Sequence, residues 1–476
     1  MVNINVFISS MGNIEFGIPV LLKRLTEELN HRQCRCFYFS IPNGKGIDGD
    51  EELYRALNIN AERVNIISND FIEFSEYLNY SSSELEDMIK SNVGSSANKE
   101  ISLNQAKEYL ERINRADAEY GIDMFIVWGI RIRERTIYRY ARKHDIPIFI
   151  FEHGYFRPFT LTVDSKGINY ENSLPRTRQF YKNIDFDQHR FNEFIESPEL
   201  AWKDEEITKE FRLICDATAQ KEEKTNKKRI INRIKHMVKH KSVKQALMKR
   251  AIIFKAHVRK LRAQRKMDYY NDITKKMIES GERFIFVPFQ LETDTQTMLF
   301  SPNIKTMLDL VRVLSESLNS YNTEYKDNLK IIFKTHPMYK LKEPNLDLFS
   351  ILRVCSQNNN LAITSSIATN ELIAKSECVI TINSTVGIEA LSANKKVITL
   401  GNAFYNIEGI AHHVNNMKDL VKDLNTVLNS TFEKDLVQRF LYYIRFNYFS
   451  EIYYLNPDQD SVKRLVDRIL NGNKGE

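Results

Sequence analysis

No Cys-x-x-Cys pair occurs in this 476-residue chain, whose five cysteines are scattered at 34, 36, 215, 355 and 378. That scatter argues against a zinc ribbon and against a disulfide framework. His-Glu-x-x-His is absent, no His/Cys cluster appears, and no metal is expected. No run approaches the ~18 consecutive apolar residues of a membrane span. The opening "MVNINVFISSMG" has no basic leader ahead of an apolar run, so no secretory signal is expected. Neither a Walker P-loop nor Gly-x-Gly-x-x-Gly opens a strand–helix unit, so ATP hydrolysis and dinucleotide redox chemistry lose ground. Internal repeats and low-complexity tracts are lacking. The simplest location is the cytoplasm, with contact to a membrane surface still open.

Hydrophobic residues make up 42% and charged residues 27% of the chain, the balance of a soluble globular protein. Its length calls for two or more cores. The net charge of +6 conceals an asymmetry: residues 221–266 hold 18 lysines and arginines against 2 acids, a net +16, which leaves the remainder at −10.

Short apolar runs alternate with amphipathic stretches. "INVFIS", "CRCFYFS", "IDMFIVW" and "IPIFIF" read as buried strands, with helical patterns at "FGIPVLLKRLTEEL", in a polar region reaching about residue 119, and at "RIRERTIYRYARK". The alternation resumes at "RFIFVPF", a helix over 303–319, "LKIIF", "LAIT", "CVITI", a helix over 384–393 and "KVITL". Such runs indicate mostly parallel sheets covered on both faces. The expected class is α/β, with two Rossmann-like domains facing across a cleft, a basic helical insertion and a helical tail. The expected boundaries are 1–190, 191–280, 281–410 and 411–476. The serine-rich stretch 80–104 is expected to be a mobile excursion from the first domain. The aromatic run "FLYYIRFNYFSEIYY" is read as packing.

Strand ends carry the candidate chemistry, because open α/β sheets bind ligands beyond the carboxyl ends of their strands. After "IPIFIF" come Glu152, His153, Gly154 and Arg157, which would stand at a crevice mouth or form a polar turn. After "RFIFVPF" come Gln290, Glu292 and Asp294; after "LKIIF", Lys334, His336 and Pro337. Asn383, Ser384 and Thr385 lead from a strand into a helix, where free N–H groups and two hydroxyls would suit a phosphate. The same three residues are equally an ordinary capping sequence. Two Asp-x-Asp triplets, at 185–187 and 458–460, are read as solvated surface.

Four stretches, "FEHGYFRPFTLTVDSKGINYENSLPR", "FQLETDTQ", "KTHP" and "INSTVGIEALSANKKVITLGNAFY", together resemble the KpsS/KpsC-type capsule polysaccharide synthesis proteins. The KpsS-like branch is the nearest, and the resemblance covers residues 145–190 and 283–406. It implies a retaining β-Kdo glycosyltransferase with two Rossmann-like domains (GT-B-like). The implied donor is CMP-β-Kdo, no cofactor is needed, and the implied acceptor is a phosphatidylglycerol-type lipid on which the capsule linker starts. By the same resemblance Asp294 is the nucleophile and Glu152 the acid/base, brought together by closure of the cleft. His336, Ser384 and Thr385 suit the departing cytidylate, with Gln290 and Asn383 beside them. Arg157 and Lys334 are candidates for offsetting the carboxylate of Kdo, and His153 is placed with the substrate.

The basic segment 221–266 carries an amphipathic pattern, with Ile230, Ile231, Ile234, Met237 and Val238 on one helical face. It fits an anionic membrane surface, which would place the protein peripherally at the inner face of the cytoplasmic membrane. An interdomain helix is the alternative; nucleic acid is not expected as a partner. Other capsule synthesis or export proteins are candidate partners. Two further functions remain open. One is another cytidylate-releasing transferase, a sialyltransferase or a CDP-glycerol glycerophosphotransferase. The other is a non-catalytic assembly or export partner.

Overall fold

The computed structural model describes residues 4–9, 18–39, 61–64, 80–92, 96–196, 265–337 and 347–471. Two compact units emerge. One comprises Met1–Leu174, Asn192–Ile214 and Tyr442–Glu476, and the other Pro175–Phe191 and Cys215–Leu441.

In the first unit β1 (Ile4–Ile8), β2 (Cys34–Phe39), β3 (Glu62–Val64), β4 (Met124–Trp128) and β5 (Ile148–His153) run parallel, in the order β3–β2–β1–β4–β5. The apolar runs are buried on both faces, as parallel strands require. Phe7 on β1 stacks on Phe37 of β2 at 4.7 Å. The direction then reverses. β6 (Thr160–Asp164) lies antiparallel on β5, with Glu152 opposite Thr162 and His153 opposite Leu161. The corner is tight: Gly154 N–H donates to the Thr160 carbonyl at 2.9 Å, and a Cβ on Gly154 would lie 2.2 Å from Thr160 Oγ1. Only glycine fits there.

The second unit holds a six-stranded sheet built from β7 (Phe284–Pro288), β8 (Lys330–Lys334), β9 (Leu361–Thr364), β10 (Cys378–Thr381), β11 (Lys396–Thr399) and β12 (His412–His413). Every pairing is parallel, in the order β12–β11–β10–β7–β8–β9. This is a doubly wound sheet: the chain builds outward from β7 to β9, then returns to the other side of β7 with β10. A last short strand, β13 (Ser450–Glu451), closes the first sheet against β6.

The two-sheet α/β class is as expected, but three local expectations change. The stretch 80–104 is no mobile excursion in its described residues: helices occupy Ser82–Ile89 and Ser96–Tyr120. A capping box of Ser81 and Glu84 starts the first helix. In the second, Ala106, Leu110, Ile113 and Ala116 are buried at helical spacing beneath a polar composition. The C-terminal region also divides. Leu420, Leu424 and Val427 join the second core, whereas Ile452, Tyr454, Val462, Leu465 and Val466 join the first. Lastly, residues 175–191 fall in the second unit rather than ending the first. There Arg178 forms a forked ion pair with Glu433, and the Arg176 guanidinium donates to the Phe404 carbonyl. The aromatic run packs: Phe440, Tyr448, Phe449 and Tyr454 are buried. Of the basic segment 221–266, all but the last two residues lie outside the described residues.

Candidate functional site

In a doubly wound sheet the crevice lies where the winding changes sides, beyond the carboxyl ends of the two strands that flank that point. In the second unit those strands are β7 and β10. The loops leaving them are Phe289–Asp294 and Ile382–Thr385, two of the stretches singled out in the sequence. Because the sheet is parallel throughout, Lys334, Thr335 and His336 leave β8 at the same edge.

Two of the expected substrate-binding residues are buried where these two loops leave the sheet. Gln290 is 8% and Asn383 3% exposed. Gln290 Nε2 donates to Asn383 Oδ1 at 2.8 Å, and Gln290 Oε1 accepts from the Asn383 N–H at 3.0 Å and from Thr381 Oγ1 at 3.2 Å. Asn383 Nδ2 in turn donates to the carbonyls of Gln296 at 3.0 Å and Phe300 at 3.3 Å. The amide pair thus satisfies buried polar groups and ties the β7 loop to the β10 turn.

The two acids of the β7 loop differ in task. Glu292 accepts from the Met307 N–H at 2.6 Å and so caps the helix Met307–Tyr325. Asp294 is exposed and begins the helix Thr295–Phe300, its Oδ1 accepting from the Gln296 N–H at 2.9 Å. That bond orients the carboxylate while leaving it open to solvent. Ser384 is half-buried; its Oγ accepts from the Val386 N–H at 3.2 Å, whereas Thr385 makes no side-chain capping bond. Lys334 donates to the Ile367 carbonyl. His336 is half-buried, and residues 338–346 beyond Pro337 lie outside the described residues.

In the first unit Glu152 and His153 are the last two residues of β5, not loop residues. The strand ladder therefore fixes their backbone. Glu152 Oε1 accepts from the His153 N–H at 2.9 Å. His153 lies edge-on to Trp128 and tilted against Tyr454, each at 5.0 Å between ring centres. Burial, reinforced by the Arg157 guanidinium, pushes its pKa well below the usual histidine range, so the ring stays neutral. Arg157 Nε donates to the Gly154 carbonyl at 3.2 Å across the hairpin corner.

Sequence reasoning missed Asp164. It is 1% exposed and accepts from the N–H groups of Lys166 at 2.7 Å, Gly167 at 3.1 Å and Ser173 at 2.8 Å. Ser173 Oγ and the Tyr448 hydroxyl complete the set at 2.7 and 2.8 Å. Burial and this carboxylate raise the Tyr448 pKa well above the usual phenol range. The "DSKGINYENS" loop is thus folded around one buried acid. An aspartate that bonds the N–H two residues on was a legible Asx-turn signal. The two Asp-x-Asp triplets are surface and cap features: Asp185 and Asp187 are exposed, and Asp458 starts the last helix by accepting from the Ser461 N–H at 2.8 Å.

A family model described as "Capsule polysaccharide biosynthesis protein" matches residues 123–439, more than half of the chain. Protein FixF of Sinorhizobium fredii (strain NBRC 101917 / NGR234) is 33% identical over 140 residues, which are 29% of this chain and 32% of FixF. The chain therefore spans about a third of that relative. The capsule polysaccharide export protein KpsS of Escherichia coli is 25% identical over 315 residues, covering 64% of this chain and 74% of KpsS. Among solved structures, the Thermosulfurimonas dismutans KpsC β-Kdo 2,7 transferase is 16% identical with a TM-score of 0.36. It covers 83% of this chain and 98% of its own.

Proposed function

We propose that this chain, which belongs to the capsule polysaccharide biosynthesis protein family, is a retaining glycosyltransferase. It takes β-Kdo from CMP-β-Kdo and places it on a phosphatidylglycerol-type lipid to start a capsule linker. The observation that carries this reading is the switch point of the second sheet, where an oriented, exposed carboxylate and a turn bearing two hydroxyls follow neighbouring strands at one sheet edge.

Cytidylate is a good leaving group, so the protein need only hold its phosphate. His336, Ser384 and Thr385 supply donors, each charge-assisted bond being worth about 1.5–3 kcal/mol. Asp294 attacks the anomeric carbon; its C–O bond forms as the bond to the phosphate oxygen breaks and CMP departs. Glu152 then takes the proton of the acceptor hydroxyl, whose oxygen displaces Asp294 and restores the original configuration. Lys334, held by its bond to the Ile367 carbonyl, offsets the Kdo carboxylate together with Arg157. His153, neutral, serves the substrate as a hydrogen-bonding group rather than a cation. The +16 segment 221–266 holds the protein at the anionic inner face of the membrane, where the acceptor resides. Among the described residues no helix is long and apolar enough to cross a bilayer.

The test is incubation of the purified chain with CMP-Kdo and a short-chain phosphatidylglycerol, read by mass spectrometry for a lipid carrying one added Kdo. CMP-sialic acid and CDP-glycerol run in parallel. Transfer from either of those instead would replace the donor assignment. No CMP release from any donor would favour a non-catalytic role, in keeping with the description of Escherichia coli KpsS as a capsule polysaccharide export protein.

A further inference from the structure

We propose that Tyr405 is a positioning residue for the cytidylate phosphate, acting through the peptide unit that joins Ser384 to Thr385. The inference rests on the phosphate role given above to those two residues and adds what holds them in place.

Tyr405 is fully buried, and a buried tyrosine needs a partner for its hydroxyl. Here the partner is the Ser384 carbonyl, to which the hydroxyl donates at 2.5 Å across 21 residues of chain. The Ser384 C=O and the Thr385 N–H belong to one planar trans peptide, so they point in opposite directions. The Gly387 N–H donates to the same oxygen at 3.0 Å, and the two bonds together aim the Thr385 N–H away from Tyr405. They also polarise the peptide and strengthen that N–H as a donor.

The surroundings are built for this contact. A Cβ on Gly387 would lie 2.4 Å from the Tyr405 hydroxyl, so any larger residue there would push the ring aside. The turn that carries Tyr405 is itself pinned. The Asn402 N–H donates to the Phe300 carbonyl at 2.7 Å, and the Ile407 N–H to the Tyr405 carbonyl at 2.8 Å. Arg176 holds the neighbouring Phe404 carbonyl. Thus "VGIEA" and "GNAFY" work as one brace behind the "NST" turn.

Tyr405→Phe keeps the ring and deletes the hydroxyl, so it separates positioning from packing. Calorimetry on the purified full chain compares two probes, CMP and cytidine. The expected result is a three- to tenfold loss of CMP affinity with cytidine affinity unchanged within twofold. Gly387→Ala, which displaces the hydroxyl, should produce the same phosphate-selective loss. A purely structural tyrosine would lower stability and leave the CMP-to-cytidine ratio as in wild type; that outcome overturns the proposal. If wild type binds CMP no more tightly than cytidine, the phosphate subsite itself is lost and this inference falls with it.

Discussion

The six-stranded sheet is parallel throughout, so every strand hands the chain to a loop at one edge, and Asp294, His336 and Ser384 all leave from that edge. The seven-stranded sheet departs from this at β5, which turns back through a glycine corner into antiparallel β6. Glu152 and His153 consequently stay within a strand ladder, with backbone fixed and side chains half-buried. Asp294 sits at a loop's end, oriented by its capping bond from the Gln296 N–H and open to water. The parts proposed for them ask for different surroundings. A nucleophile must meet a bulky charged sugar, whereas a base must be held where its protonation is controlled by its environment.

The strongest way to break this comparison is to neutralise each carboxylate. Asn caps a helix as well as Asp, so Asp294→Asn should leave the melting temperature and CMP binding nearly unchanged. It should cut transfer at least ~10³-fold in single-turnover assays, since covalent catalysis is lost. Activity within a few-fold of wild type would remove Asp294 from the reaction. Glu152→Gln should cost less, about 10²–10⁴-fold, the usual worth of a general base.

His336→Ala and Ser384→Ala test the switch-point edge. Each removes one proposed phosphate donor, and CMP should bind roughly 10- to 150-fold more weakly by calorimetry, corresponding to about 1.5–3 kcal/mol. Unchanged affinity in both variants would move the nucleotide elsewhere.

The enclosed half of the comparison predicts a pH effect. Burial and Arg157 hold the folded-state pKa of His153 below its unfolded value of about 6.5. Below that pH the unfolded chain takes up a proton that the folded chain refuses. The stabilisation is complete above about pH 6.5 and declines on acidification, by up to ~1.4 kcal/mol per pH unit. Urea midpoints at pH 7.5 and 5.5 should therefore differ less in His153→Gln than in wild type. An equal difference in both would show that the ring titrates normally.

The smallest expected effect on chemistry concerns the basic segment. Replacing Lys227, Lys228, Arg229, Arg233, Lys235 and Lys239 with Gln should release the protein from anionic vesicles, at about 1 kcal/mol per charge. Transfer to a soluble short-chain acceptor should survive. Co-sedimentation across salt reads this, because screening shortens the Debye length from about 10 Å at 0.1 M to 3 Å at 1 M. If wild type ignores anionic vesicles at low salt, the segment has another task.

The strands of the second sheet were legible because each is a short apolar run buried on both faces, and that pattern survives in one dimension. The same logic failed for 80–104, where serine and glutamate set the composition while Ala106, Leu110 and Ile113 set the buried face beyond it. It also failed at "TLTVD", whose alternation was an antiparallel signal next to a run read as ending at a crevice.

By itself the sequence determined the α/β class, most strand and helix positions, and the residues that gather at strand ends, since apolar periodicity and capping chemistry are local properties. Tertiary structure alone decided what those residues do next. Gln290 and Asn383 read as ligand-facing amides until pairing across 93 residues turned them toward each other. Asp164 went unremarked in the sequence, and its shell of donors is completed by Tyr448, 284 residues away. A polar side chain's task is set by which partners reach it first, and partners that distant are supplied only by the packing of one strand against another.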